Sequence, residues 1–176
     1  MRHPRADAAA QQYFREKIER YERDGRPIVY IDESGFAHDM PRTHGYAPKG
    51  QRCIGPHDWH AKGRVNVIGA LLAGALVSVG LTNANVDADI FNLWLKGDLI
   101  PKLPPKSILV MDRATFHQRS DTKIAIADAG HTLEYLPAYS PELNDIEHTW
   151  AEAKSYRRKT GLTVEEVFAQ KIWDQN

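Results

Sequence analysis

Three acidic residues offer the most direct chemistry in this chain. Asp32 closes the apolar run Val29-Tyr-Ile-Asp32, Asp112 closes Leu109-Val-Met-Asp112, and Glu147 lies in a helix-forming stretch further on. If the two runs are adjacent parallel strands, their aspartates emerge side by side at one edge of a sheet. Carboxylates held that close repel each other and raise a pKa. A divalent cation removes the penalty, and an oxygen-only donor set suits Mg²⁺ or Mn²⁺. With Glu147, such a trio can hold two ions about 3.5–4 Å apart, one activating an attacking water or hydroxyl and the other stabilising a leaving oxygen. A plainer reading stands beside it. An aspartate that ends a strand is most often a turn or helix cap, and a lone glutamate on a helix is most often solvated. Glu33, Asp39, Asp89, Asp98, Asp128, Glu142 and Asp145 take that plainer reading.

The elements that would position the trio are readable from composition and periodicity. Ala6 to Arg23 lacks Pro and Gly and reads as a helix with a narrow apolar stripe (Tyr13, Phe14, Ile18, Tyr21), ended by Asp24-Gly25-Arg26-Pro27. Ile28 to Ile31 is a buried strand that delivers Asp32 at its end. Gly35 to Gly63, punctuated by Gly and Pro, reads as loop or irregular hairpin. Arg64 to Leu72 and Ala75 to Thr82 form two strands joined near Ala73-Gly74. Asp87 caps a helix reaching Leu99, with Ile90, Phe91, Trp94 and Leu95 on one face. After the stop at Pro101 to Pro105, Ser107 to Met111 is a fourth strand, Asp121 to Ala129 a helix and His131 to Leu136 a fifth strand. A long helix is expected from Glu142 to Lys159, with Ile146, Trp150 and Ala153 facing the sheet and Glu147 projecting over its edge. Thr163-Val-Glu-Glu166 is a capping box that opens a final helix. This order predicts an α/β fold: a mixed five-stranded sheet, three strands antiparallel and two more parallel, flanked by helices.

Composition excludes more than it selects. The 176 residues suit one domain, and 23 basic residues balance 23 acidic ones, so charge alone does not announce a nucleic-acid partner. Arg42 to Arg64 and Lys154 to Lys159 are locally basic, and each run could face phosphates or simply solvent. The lone cysteine, Cys53, allows no internal disulfide, and no secretory leader is visible, which points to a cytoplasmic protein. Val65 to Leu81 is apolar but interrupted, and reads as two strands rather than a membrane span. His57 and His60 lack the further ligands of a zinc site. Ser34-Gly35 lacks the setting of a nucleophile elbow, and no phosphate-binding glycine loop is present. Trp94 and Trp150 are assigned to the core.

Four motifs in order lend the trio a context: Tyr30-Ile-Asp-Glu-Ser-Gly-Phe36, Gly45-Tyr-Ala-Pro-Lys-Gly50, Val110-Met-Asp112 with His117, and Leu136-Pro-Ala-Tyr-Ser-Pro-Glu-Leu-Asn-Asp-Ile-Glu-His-Thr-Trp150. Together they resemble the catalytic domain of mariner-superfamily DDE transposases, the bacterial insertion-sequence branch above all. The 34 residues between Asp112 and Glu147 match that superfamily's spacing. The resemblance spans about Pro27 to Lys159. It implies a ribonuclease-H-like, integrase-related fold and a DDE triad of Asp32, Asp112 and Glu147 holding two Mg²⁺ or Mn²⁺ ions. The implied reaction is DNA cleavage at transposon ends followed by strand transfer into target DNA. The Tyr139-Ser140-Pro141 turn would set the reach of Glu147.

Two positions depart from the pattern: Arg113 stands where the family has Asn, and Asp145 where it has Pro. Lys49, Arg52, Arg113, His117, His148 and Lys154 are candidate DNA phosphate contacts. Residues 1–26 read as a helix left from a linker to an upstream DNA-binding region, and 27–176 as the catalytic domain. The implied partners are transposon-end and target DNA, a DNA-binding region or companion product encoded upstream, and a second copy of the chain on DNA, with no membrane. The protein would then associate with the nucleoid. Two alternatives share these residues: a non-catalytic DNA-binding or regulatory remnant of a transposase, and a ribonuclease-H-type nuclease.

Overall fold

Strand alternation organises the molecule. In the computed structural model, which describes residues 5–38 and 63–169, five strands form one sheet: β1 (Ile28–Ala37), β2 (Arg64–Leu72), β3 (Ala75–Thr82), β4 (Ile108–Met111) and β5 (Thr132–Tyr135). Their order is β3-β2-β1-β4-β5. β1–β2 and β2–β3 pair antiparallel, while β1–β4 and β4–β5 pair parallel, as the sequence predicts. The β2–β3 hairpin turns on Ala73 and Gly74, both at positive φ (50° and 81°), the geometry whose twist matches the flanking strands.

The helices are α1 (Ala8–Arg23), α2 (Ala88–Trp94), α3 (Ser120–Asp128), α4 (Ile146–Thr160) and α5 (Val164–Ala169). Successive strand residues point to opposite faces, so each face has its own core. Val29, Ile31, Ile68, Ala70, Leu109 and Met111 meet Phe91, Trp94, Leu95, Leu99 and Ile126 on the α2–α3 side. On the other side, Phe36, Val65, Val67 and Leu71 pack against Ile146, Trp150 and Ala153 of α4 and Val164 and Val167 of α5. There α1 lays Phe14 and Ile18 over Ile28, Ile108 and Val110, so it shares the core of the sheet. The expected capping box opens α5, with Glu166 N–H donating to Thr163 Oγ1 (3.1 Å) and Thr163 N–H to Glu166 Oε2 (2.8 Å).

Three boundaries differ from the sequence reading, each for a physical reason. β1 does not stop at Asp32. Its backbone stays paired with β2 as far as Ala37↔Arg64, which holds the polar stretch Asp32-Glu33-Ser34 in extended form. Pairing with β4 ends at Tyr30↔Val110, so Asp32 lies where its parallel neighbour has run out. The helix from Asp87 is regular only to Trp94. It widens into a π turn at Leu95–Leu99, which brings Leu95 and Leu99 both into the core, then tightens to a 3₁₀ turn at Ile100–Lys102 containing Pro101. Finally, α4 starts at Ile146 and not at Glu142. One 3₁₀ turn (Pro141–Leu143) precedes it, and Asn144 then turns extended (φ −102°, ψ 100°). Glu147 therefore sits in the first turn of α4, where the helix dipole favours an acid.

Candidate active site

Asp32 shares the α4 face of β1 with Tyr30 and Phe36. Across the antiparallel pair stands Gly69, whose missing side chain makes room for the Trp150 indole. Trp150 Nε1–H donates to Asp32 Oδ2 at 3.2 Å. Burial, followed by the charges of Glu33, Glu147 and Asp112, pushes the Asp32 carboxyl up to about 7. The sheet edge thus carries more negative charge than it can comfortably ionise.

Asp112 follows β4 and is half exposed. Its Oδ1 accepts from Ala114 N–H (2.9 Å) and from His117 Nδ1 (2.8 Å). The His117 hydrogen bond holds the Asp112 carboxyl below its ordinary value against a smaller opposing effect of burial. Glu147 is exposed, and its backbone N–H donates to Asn144 O (3.1 Å). Buried Asn144 in turn donates from Nδ2 to Ile31 O (3.4 Å), tying the start of α4 to the strand that bears Asp32. Asp32 thus lies within range of the charges of both Glu147 and Asp112. Among the described residues, no three His, Cys, Asp or Glu side chains close around a common point.

Glu33 was read from sequence as solvated, and the structure corrects that. Alternation turns it to the α2 face, where its Oε1 meets His117 Nε2 at 2.7 Å. His117 is fully buried. Burial alone would lower its pKa, but Asp112 and Glu33 outweigh that and raise it to about 9, so both ring nitrogens donate. This also corrects the expectation of a phosphate contact at His117, because neither nitrogen reaches the surface. Only an 84-residue sequence separation hid the Glu33–His117 pair; the His117 motif was the one available signal.

The other candidate DNA contacts are dispersed. The Arg113 guanidinium stands over the Tyr135 ring (5.6 Å), Lys154 Nζ over Phe36 (5.2 Å), and His148 is exposed on α4. Lys49 and Arg52, with Arg42 and Lys62 of that basic run, the Gly45–Gly50 motif and the His57/His60 pair lie outside the described residues, while Arg64 opens β2. Sequence reasoning also missed Arg157. This buried residue at the far end of α4 donates from Nη2 to His38 O (2.8 Å), from Nε to Leu162 O (3.1 Å) and from Nη1 to Ala37 O. No helix among the described residues is long and apolar enough to cross a membrane.

Comparison with known proteins bears on the fold and the family. Among solved structures, the catalytic domain of Mos1 mariner transposase superposes with a TM-score of 0.63 at 13% identity, covering 100% of this chain and 84% of that one. The Mos1 strand transfer complex gives 0.68 at 18%, covering 92% and 50%. The Mos1 paired-end complex with left transposon end gives 0.64 at 18%, covering 84% and 47%. The chain thus spans about half the length of the transposase in those complexes and shares the ribonuclease-H-like fold of its catalytic domain. No curated protein matches it. The family model described as DDE superfamily endonuclease matches residues 27–166, from the foot of β1 into α5, and the chain belongs to that family.

Proposed function

We propose that this chain is a transposase catalytic domain that cleaves DNA phosphodiester bonds at transposon ends and joins them to target DNA, with Asp32, Asp112 and Glu147 as its catalytic carboxylates. The observation that carries the reading is the charge surplus at one sheet edge, where burial and three neighbouring carboxylates keep Asp32 from ionising until about pH 7. A divalent cation is the natural counter-charge for such an oxygen-only set, so the donor chemistry fits Mg²⁺ or Mn²⁺. Solved Mos1 structures contain one or the other. When bound, the ions would activate the attacking oxygen and stabilise the leaving one.

The chain's own residues supply placement. Trp150 holds one oxygen of Asp32, and two donors converge on Oδ1 of Asp112, so both acids that would hold the cation are held in place by the protein. Glu147, exposed on the first turn of α4, would complete the set by rotation of its side chain, at a cost on the order of 1 kcal/mol. Arg113, His148 and Lys154 are proposed to meet DNA phosphates, as are Lys49 and Arg52, giving affinity without sequence preference. The reading of end sequences falls to a DNA-binding region or companion product encoded upstream, and two copies act together, as the paired ends in the Mos1 complexes suggest. The protein would work wherever its DNA lies.

The test is nicking of a transposon-end duplex with Mn²⁺ or Mg²⁺. Asp112→Asn should lower the rate by at least about 10³-fold with an unchanged circular dichroism spectrum. A variant that cuts as fast as wild type would sink the reading.

A further inference from the structure

Asp112 is half exposed, yet it is gripped from a direction in which sequence reasoning placed no partner. Glu33 lies on the opposite sheet face from Asp32, beside the core that contains Phe91. From there the chain of contacts runs Glu33 Oε1 to His117 Nε2 (2.7 Å), then His117 Nδ1 to Asp112 Oδ1 (2.8 Å). We propose that Glu33 and His117 are positioning residues, a hydrogen-bonded arm that reaches round the end of β4 and locks the carboxylate of Asp112 in one orientation.

Every joint of the arm is held. The imidazole packs against Phe91 (4.6 Å between ring centres) and Phe116 (4.3 Å). Its backbone sits in the 3₁₀ turn Thr115–Gln118, with His117 N–H on Ala114 O (2.9 Å) and the Tyr135 hydroxyl donating to His117 O (2.9 Å). With a carboxylate at each nitrogen, the ring cannot flip without losing a charge-assisted hydrogen bond. Ala114 N–H adds a second donor on the same Asp112 oxygen. The Glu33 side chain reaches Asp112 through the ring, while its charge also bears directly on Asp32. Glu33→Ala and Glu33→Gln remove that charge alike, so the difference between the two variants reports the arm.

The inference rests on the metal-binding reading of Asp112, and the experiment separates the two. Mn²⁺ affinity of the whole chain is measured by electron paramagnetic resonance titration, with melting temperature and side-chain ¹⁵N NMR of His117 alongside. Glu33→Ala should weaken Mn²⁺ binding about 10–100-fold, the usual cost of losing an outer partner of a ligand, and erase the exchange-protected Nε2–H signal. Glu33→Gln, whose amide oxygen still accepts from Nε2, should bind within a few-fold of wild type. If Glu33→Ala unfolds the chain, Glu33→Asp, which keeps the charge but shortens the reach, replaces it with the same expectation. Wild-type affinity in Glu33→Ala, alongside a loss in Asp112→Asn, overturns the arm and leaves the metal site standing. So does a Glu33→Gln as weak as Glu33→Ala. Unchanged Mn²⁺ binding in Asp112→Asn overturns the metal reading and the arm with it.

Discussion

Trp150 and Gly69 fit together as a side chain and the space made for it: a Cβ on Gly69 would stand 2.5 Å from Cη2 of the indole. Because Gly69 is the cross-strand partner of Asp32, the same ring can cover β2 and still hand its N–H to the Asp32 carboxylate. The glycine is thus part of how the acid is aimed.

Gly69→Ala should therefore expel the ring. The added methyl forces the ring off its position at a cost of about 1–3 kcal/mol, typical of overpacking, and removes the donor from Asp32. Urea denaturation should show the loss of stability, and cleavage should fall more than stability explains. Unaltered cleavage at saturating Mn²⁺ would show that the indole does not aim the acid.

Asp32 sets a pH dependence. Its proton is held up to about pH 7 in the fold against an ordinary value of 3.8. A group that binds its proton more tightly when folded stabilises fully below its unfolded pKa, and that contribution is lost as pH rises through the folded value. In EDTA, stability should fall between about pH 4 and 7, by on the order of 4 kcal/mol from this group, and the melting temperature should fall with it. Asp32→Asn should flatten that slope and be the more stable protein at pH 8, and Mn²⁺ should restore wild type but not the variant. Parallel slopes for the two proteins would contradict this.

Arg157 is a structural charge at the other end of α4. Arg157→Met would fill similar volume but strand the carbonyls of Ala37, His38 and Leu162. A loss of about 2–4 kcal/mol is expected. Arg157→Lys should recover little of it, because one ammonium cannot reproduce the guanidinium fork. Equilibrium denaturation of the three proteins decides the matter.

What was legible in the sequence followed from periodicity. β2 and β3 are found at their expected residues because apolar runs flank a turn signal, and the Asp87 cap and the Thr163 capping box declare themselves locally. The length of β1 was not legible, because what keeps Asp32 to Ala37 extended is β2, not their own composition. The late start of α4 depends on Asn144 reaching Ile31, across 113 residues. For the site, motif context singled out Asp32, Asp112 and Glu147, but the groups that orient them were read as something else. Trp150 was assigned to the core, where it is, though it also serves the acid. Glu33 was read as solvated, since alternation alone turns it away from Asp32 and its bond is made through a histidine on another element.

The neck of the β1–β2 connection has a practical consequence. His38 N–H donates to Gly63 O at 3.1 Å, just beyond the last paired residues Ala37 and Arg64, and Arg157 clamps the same corner. Among the described residues, the β1–β2 pairing and that bridge hold the strand register. Splicing a two-residue turn in place of residues 39–62 should leave the sheet intact, and the shorter closure should stabilise it by roughly 2 kcal/mol. It would also strip Lys49 and Arg52 from the chain in one step. Mn²⁺ affinity that survives the splice while DNA binding weakens would make residues 39–62 an exchangeable cassette, the natural place to graft a different DNA preference onto an unchanged cutting edge.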